Sequence, residues 1–377
     1  MFKKLTILIA CFITSILIFT GCSSKVADEA TIQDTSTIST EDTSSEADTP
    51  SATIPPAEAF TPTPASIFTP KEGKPEEKHE YYFKVKLDSK AISENQIGEQ
   101  TEQSLIIYLP PTYYESNERY PVIYYLHGFG DSVGAYLNSS KRSLNEAFTD
   151  AEKQFIMVEV DGSNLVIGSF YVNSPVIGNW EDYTTQEVVS YIDSNYRTIA
   201  SPESRGICGF SMGGFGALNL ALLHPDIYGA VYSMSPGIIA EGKLTDALDS
   251  WKYDAPFKEA YSMAFAYETT RPYGKIPVFD GSKEDNDVIK KWESGFEDWP
   301  EKLDAYLALN TPLRAIGLSY GHGDSYPWIP VGTTYFSKLL TDKEIMHTLF
   351  TFDGGHMQPP YSIIDHLVPF FREALVW

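Results

Sequence analysis

Ser211 stands in Gly209-Phe210-Ser211-Met212-Gly213-Gly214, a motif that directly follows the expected strand Arg205–Cys208 and precedes an apolar helical stretch, Phe215–Leu223. A serine held on a tight strand-to-helix turn projects its hydroxyl above a sheet. There a neighbouring base can take its proton and set the oxygen on an electrophilic carbonyl carbon. Gly209 and Gly213 suit the crossing of strand and helix, where side chains would collide. The helix beginning behind Ser211 also points its positive end at developing negative charge. A second glycine-rich turn, His127-Gly128-Phe129-Gly130, follows the apolar run Val122–Leu126. Such a loop can turn its amides toward the serine, so the backbone N–H groups of Phe129 and Met212 are the expected oxyanion hole. His127 itself reads as a structural ring that orders this loop.

The base and its acid belong after the serine in the chain when the nucleophile sits on such a turn. Among seven histidines, His79 falls at the edge of a linker, His224 at a helix end, His347 inside a strand and His366 on a helical pattern. His356 follows a final strand in Phe352-Asp353-Gly354-Gly355-His356, where paired glycines free a loop to present the ring. It is the expected general base. The acid is expected after the preceding strand, Leu313–Leu318, in Ser319-Tyr320-Gly321-His322-Gly323-Asp324-Ser325, which selects Asp324. Its task would be to fix the imidazole tautomer and stabilise the imidazolium. Asp280 and Asp285 are rivals in a region without a clear strand, and Asp353 is too close in sequence to aim at the His356 ring. No His/Cys/Asp cluster has zinc-like spacing and no Gly/Lys loop could cradle phosphate, so no metal or cofactor is expected.

These residues need a sheet to carry them. Short β-rich runs recur at Tyr82–Leu87, Ser104–Leu109, Val122–Leu126, Phe155–Val160, Arg205–Gly209, Ala230–Ser235, Leu313–Leu318 and His347–Phe352. Several are apolar throughout, as central strands covered on both faces must be. Helical patterns alternate with them: Val188, Val189, Ile192 and Tyr196 share a face, and Val331–Leu340 reads as a helix. The alternation predicts an α/β fold with a mostly parallel central sheet flanked by helices. The first two strands are spaced for an antiparallel edge. Residues 237–310 break the rhythm and read as a mostly helical insertion over the sheet. Its Trp251, Trp292 and Trp299 are candidate substrate-binding residues.

The N-terminal residues set an address. Lys3 and Lys4 precede an apolar run, Leu5–Phe19, of signal-peptide length and short for a membrane span. Phe19-Thr20-Gly21-Cys22 resembles a bacterial lipobox, so residues 1–22 are expected to be a lipoprotein signal whose Cys22 is lipidated. Residues 23–80 are rich in Thr, Ser, Pro and acidic residues, with four basic and twelve acidic side chains, a net of −8. Such a segment cannot bury enough apolar surface to fold, and it reads as a disordered tether. Residues 81–377 form the expected globular domain, held outside the cell membrane by lipid alone. Of three cysteines, Cys11 leaves with the signal and Cys22 carries lipid, so Cys208 has no disulfide partner. The whole chain carries 28 basic against 51 acidic residues, a net of −23, which excludes a nucleic-acid binder that works by displacing counterions.

Beyond these readings, the chain resembles the esterase D, feruloyl esterase and antigen-85 group of α/β-hydrolases. The resemblance rests on Tyr108-Leu109-Pro110-Pro111-Thr112-Tyr113, Tyr120-Pro121-Val122, the His127 loop, the Ser211 turn and Gly354-Gly355-His356. It implies an α/β-hydrolase fold and a Ser211, Asp324, His356 triad. It further implies hydrolysis of carboxylic esters, with feruloyl or acetyl decorations on plant polysaccharide or oligosaccharide as the expected substrate. Acyl transfer, cleavage of siderophore lactones, and a catalytically silent surface-binding protein are the alternatives. The chain departs from the group in its tether, its long insertion and Met357-Gln358-Pro359-Pro360 after the histidine.

Overall fold

The computed structural model describes residues 81–377, apart from residue 150; the signal, Cys22 and the tether of residues 23–80 lie outside the described residues. One eight-stranded sheet organises the domain. Its strands are β1 (Tyr82–Asp88), β2 (Glu102–Tyr108), β3 (Val122–Leu126), β4 (Ile156–Val160), β5 (Arg205–Phe210), β6 (Ala230–Met234), β7 (Ala315–Gly321) and β8 (Thr348–Phe352). Their spatial order is β1-β2-β4-β3-β5-β6-β7-β8. β1 and β2 pair antiparallel, β2 meets β4 antiparallel, and every later pairing is parallel.

The sequence pattern explains this layering. β3, β4 and β6 are buried along their whole length because helices cover both faces of the sheet. The helix Met212–Leu223 is apolar on every side, and all of its residues but the last are buried. Ala135–Phe148 and the C-terminal Val368–Ala374 pack on the opposite face, where Leu137, Leu144 and Phe371 meet Ile123 and Met157.

Residues 237–310 carry four helices: Leu244–Ser250, Ala255–Phe265, Lys283–Phe296 and Trp299–Ala308. They share an aromatic core joined to the main domain. Tyr261 and Trp292 lie 4.7 Å apart between ring centres, Phe215 and Phe296 also 4.7 Å, and Trp299 and Phe336 4.9 Å. The inserted helices therefore brace the helix that starts behind Ser211.

Two features carry no clear sequence signature. A two-stranded ribbon, Asn173–Ser174 with Gly178–Asn179, follows β4. Just before it, Ile167, Phe170 and Tyr171 adopt positive φ of 62°, 54° and 56°, a region that β-branched and bulky residues rarely occupy.

Candidate active site

The loops carrying His127, Ser211, Asp324 and His356 follow β3, β5, β7 and β8. Those strands run parallel, so all four loops leave the same edge of the sheet at its carboxyl end. The topology thus gathers residues separated by more than 200 positions.

Ser211 has φ 56° and ψ −115°, a strained conformation for a residue with a side chain. The turn is held on both sides. Its N–H donates to the Met234 carbonyl at 2.9 Å, while its own carbonyl accepts from Phe215 and Gly237 at 3.0 and 3.2 Å. The flanking glycines are sterically required, since a Cβ on Gly209 would lie 2.1 Å from the Gly213 carbonyl oxygen.

His356 Nε2 lies 2.9 Å from Ser211 Oγ, and His356 Nδ1 lies 2.8 Å from Asp324 Oδ2. A carboxylate can only accept, so Nδ1 carries the ring hydrogen and Nε2 is left to accept from the serine hydroxyl. The Asp324 side chain is fully buried, and its second oxygen accepts from the Tyr326 N–H at 2.9 Å. Two backbone bonds tie its loop to that of the histidine: His322 N–H to Phe352 O at 2.9 Å and Gly323 N–H to Gly354 O at 2.8 Å. Gly321 permits the approach, because a Cβ there would sit 2.5 Å from the Gly354 oxygen. The imidazole is further packed by Phe210 and Tyr326, with ring centres at 4.7 and 5.1 Å.

The Phe129 and Met212 side of the site is equally built. Both residues line the cavity that contains Ser211 and His356. Neither amide has an acceptor among the described residues. His127 is wholly buried, accepts from the Gly162 N–H at 2.9 Å through Nε2 and donates from Nδ1 to the Gly128 carbonyl at 2.9 Å. The Tyr171 hydroxyl donates to the His127 carbonyl at 3.1 Å, and Gly130 N–H donates to Ile167 O at 3.1 Å. The positive-φ segment at 167–171 is thus a strut beneath this loop. Gly168 belongs to it: a Cβ there would lie 2.4 Å from the Phe129 ring.

The cavity measures about 240 Å³. Trp251, Phe257, Phe296, Tyr326, Trp328 and Ile329 form its apolar wall, and Asp131 and Asp254 its only carboxylate-bearing lining residues. Of the three tryptophans singled out in the sequence, Trp251 alone lines it. Trp292 and Trp299 are corrected to core residues. Both are completely buried, and their indole N–H groups donate to the carbonyls of Lys275 and Phe296, each at 2.7 Å. An insertion needs an interior of its own, and its largest rings supply it. Tyr326 and Trp328 escaped sequence reading although they directly follow the Asp324 loop. Phe257 and Phe296 were hidden among many other aromatic residues.

The remaining candidates stand elsewhere. Asp285 is a buried structural carboxylate that accepts from Val278 and Asp280 N–H at 2.8 and 3.1 Å. His224 meets Glu181 at 2.8 Å, His347 meets Ser337 at 2.7 Å, and His366 stacks on Phe350. Among the described residues, no group of three or more His, Cys, Asp or Glu could hold a metal ion.

Comparison with known proteins bears on family and fold. The Esterase family matches residues 98–293, just over half of the chain. An esterase of Mycobacterium tuberculosis is 36% identical over 121 residues, covering 30% of this chain and 25% of that protein. An endo-1,4-beta-xylanase/feruloyl esterase of Xylanibacter ruminicola is 28% identical over 153 residues, covering 38% of this chain and 21% of that one. The chain thus spans about a quarter or less of the length of these relatives. Among solved structures, a ferulic acid esterase superposes with a TM-score of 0.53 at 20% identity, covering 78% of this chain and 98% of its own. The feruloyl esterase module of Clostridium thermocellum, complexed with sinapinate, gives 0.51 at 17% identity, over 85% and 99%. An S-formylglutathione hydrolase of Agrobacterium tumefaciens gives 0.51 at 17%, over 78% and 95%. At such identities the likeness is one of α/β-hydrolase fold.

Proposed function

The chain belongs to the Esterase family, and on that premise we propose that it is a carboxylic ester hydrolase in which Ser211, His356 and Asp324 hydrolyse aromatic acyl esters of plant cell-wall saccharides through an acyl-enzyme. The observation that carries this reading is the bonded line Asp324–His356–Ser211 opening into an aromatic-walled cavity.

In this reading Ser211 Oγ attacks the ester carbonyl while its proton passes to His356 Nε2. The oxygen of the tetrahedral intermediate accepts from the Phe129 and Met212 N–H groups, neither of which has another acceptor among the described residues. His356 then gives its proton to the leaving alkoxide and next takes one from the water that releases the acid. Asp324 keeps Nδ1 protonated throughout. One missing oxyanion donor is worth about 10²–10³ in rate, which is why the glycine-rich loop is braced so thoroughly.

The substrate reading rests on the cavity wall. A flat phenolic acyl group packs against the half-buried Tyr326 ring, in an apolar slot backed by the buried Trp251 and Trp328, and fills space that acetyl would leave mostly empty. Asp131 and Asp254 at the same cavity disfavour anionic esters and repel the carboxylate product. A net of −17 on residues 81–377, from 22 basic and 39 acidic side chains, acts in the same sense. The lipobox reading of Cys22 and the acidic tether support an enzyme anchored outside the cell, where an unimportable polymer would be met.

A panel of methyl ferulate, feruloylated arabinoxylan fragments, acetylated xylan and p-nitrophenyl acetate tests the reading. Ferulate release with kcat/KM above that of the acetyl esters is expected. Cleavage of p-nitrophenyl acetate without acid release from any feruloylated or acetylated saccharide would overturn it in favour of acyl transfer or lactone cleavage.

A further inference from the structure

A second cavity of about 280 Å³ adjoins the first, and the two share Phe210 and Asp131 as walls. Its chemistry is different. The first cavity is walled by indoles and phenyl rings. The second is lined by Ser140 and Ser143 on the helix Ala135–Phe148, by Tyr125 and Tyr136, and by Gln358 with Pro359 from the loop after His356.

Gln358 is the unusual member. Its Nε2 donates to the Tyr125 hydroxyl at 2.7 Å, while its Oε1 is buried and takes no partner among the described residues. That oxygen is enclosed, so an incoming donor completes it only as the half-buried Gln358 side chain shifts on binding. Tyr125 and Tyr136 stack with centroids 3.7 Å apart and planes 6° from parallel, giving the cavity a rigid floor. Hydroxyl and amide groups above flat rings and proline faces match a neutral polyol, which offers O–H donors at its edge and C–H groups on its faces. No lysine or arginine lines the cavity, so an anionic alcohol finds no counter-charge.

Direction follows from the reaction. The proton for the leaving oxygen comes from His356 Nε2, so the alcohol must leave past the histidine. The loop that carries Gln358 begins at His356, and Phe210, whose ring packs on His356 at 4.7 Å, separates the two cavities. We infer that the cavity lined by Gln358, Ser140, Ser143 and the Tyr125–Tyr136 stack is the alcohol-side subsite and takes a neutral sugar ring of the ester. This rests on the reading of Ser211 as nucleophile with the aromatic cavity on the acyl side. The Met357-Gln358-Pro359-Pro360 segment then sets the alcohol preference.

The test compares two esters with one acyl group, methyl ferulate and a feruloylated arabinose-containing oligosaccharide, on the full domain. In Gln358→Leu the ratio of kcat/KM for the sugar ester to that for the methyl ester should fall about tenfold, the worth of one buried hydrogen bond, and chiefly through KM. Ser143→Leu, which fills the cavity from the helix and leaves Gln358 untouched, should lower the same ratio. Calorimetric titration of ester-free arabinoxylo-oligosaccharide into Ser211→Ala protein should show binding that Ser211→Ala/Gln358→Leu loses. An unchanged ratio in both variants, or absent oligosaccharide binding, overturns the subsite. If wild-type protein cleaves neither ferulate ester yet Ser211→Ala binds the oligosaccharide through Gln358, the acyl reading fails and the sugar subsite stands.

Discussion

Gly213 is wedged against the end of β3: a Cβ on it would lie 2.0 Å from the Leu126 carbonyl oxygen and 2.6 Å from that of His127. The serine turn and the loop bearing Phe129 are therefore packed backbone to backbone. Gly213→Ala has no flexible side chain to displace, so it must push the two loops apart. We expect it to destabilise the domain by about 2–4 kcal/mol and to reduce kcat through the misplaced Phe129 amide. Thermal unfolding alongside kinetics checks this, and a variant with wild-type stability and rate would contradict the packing.

The acid assignment separates two buried aspartates. Asp324→Asn should cut kcat roughly 10⁴-fold, because an amide at that position no longer enforces the Nδ1–H tautomer. Asp285→Asn, which loses one of two accepted backbone bonds in the insertion, should cost about 1 kcal/mol of stability and leave kcat unchanged. Crippled turnover in Asp285→Asn with an active Asp324→Asn would reverse the roles.

Burial moves the expected effect of Trp292 from binding to stability. Trp292→Ala should lower stability by about 3–5 kcal/mol, with KM for methyl ferulate following only as the folded fraction falls. Trp251 is just as buried but backs the cavity wall, so Trp251→Ala should cost comparable stability and in addition raise KM for methyl ferulate more than for p-nitrophenyl acetate. Equal KM effects from the two variants, measured well below their unfolding temperatures, would contradict this division.

A pH dependence of stability follows from Glu159. This buried residue of β4 accepts from the Tyr136 and Leu137 N–H groups at the start of a helix, yet burial outweighs those bonds and pushes its carboxyl up to about 7. The folded state therefore binds its proton more tightly than the unfolded chain does. Stability falls as pH rises from the ordinary glutamate value through about 7. Burial raises Glu297 in the same direction, also to about 7. Glu159→Gln should reduce, without abolishing, the decline in melting temperature between about pH 5 and about pH 7. An unchanged slope would show that Glu159 is ionised in the fold.

Much of this site was legible because its determinants are local. The Ser211 turn announces itself through glycines whose need is steric, and the Asp324 and His356 loops through glycines following apolar strands. The central strands could be placed because covered strands are apolar on both faces, and the part-exposed edge strands β1 and β8 by their β-forming residues. What stayed hidden depends on distant packing. Which indoles of the insertion face the cavity and which form its interior is decided by contacts with Phe215 and Phe336, far away in sequence. The strut at 167–171 was invisible because Ile167, Phe170 and Tyr171 hold positive φ without the glycines that usually mark it.

The central claim is that Ser211 forms the acyl-enzyme, and covalent capture tests it most directly. Incubation with a fluorophosphonate followed by intact and peptide mass spectrometry should give one adduct per chain, located on Ser211. Folded Ser211→Ala should take up none and should lose ester hydrolysis by a factor on the order of 10⁴ or more. An adduct on another residue, or ester hydrolysis retained in folded Ser211→Ala, would contradict the account.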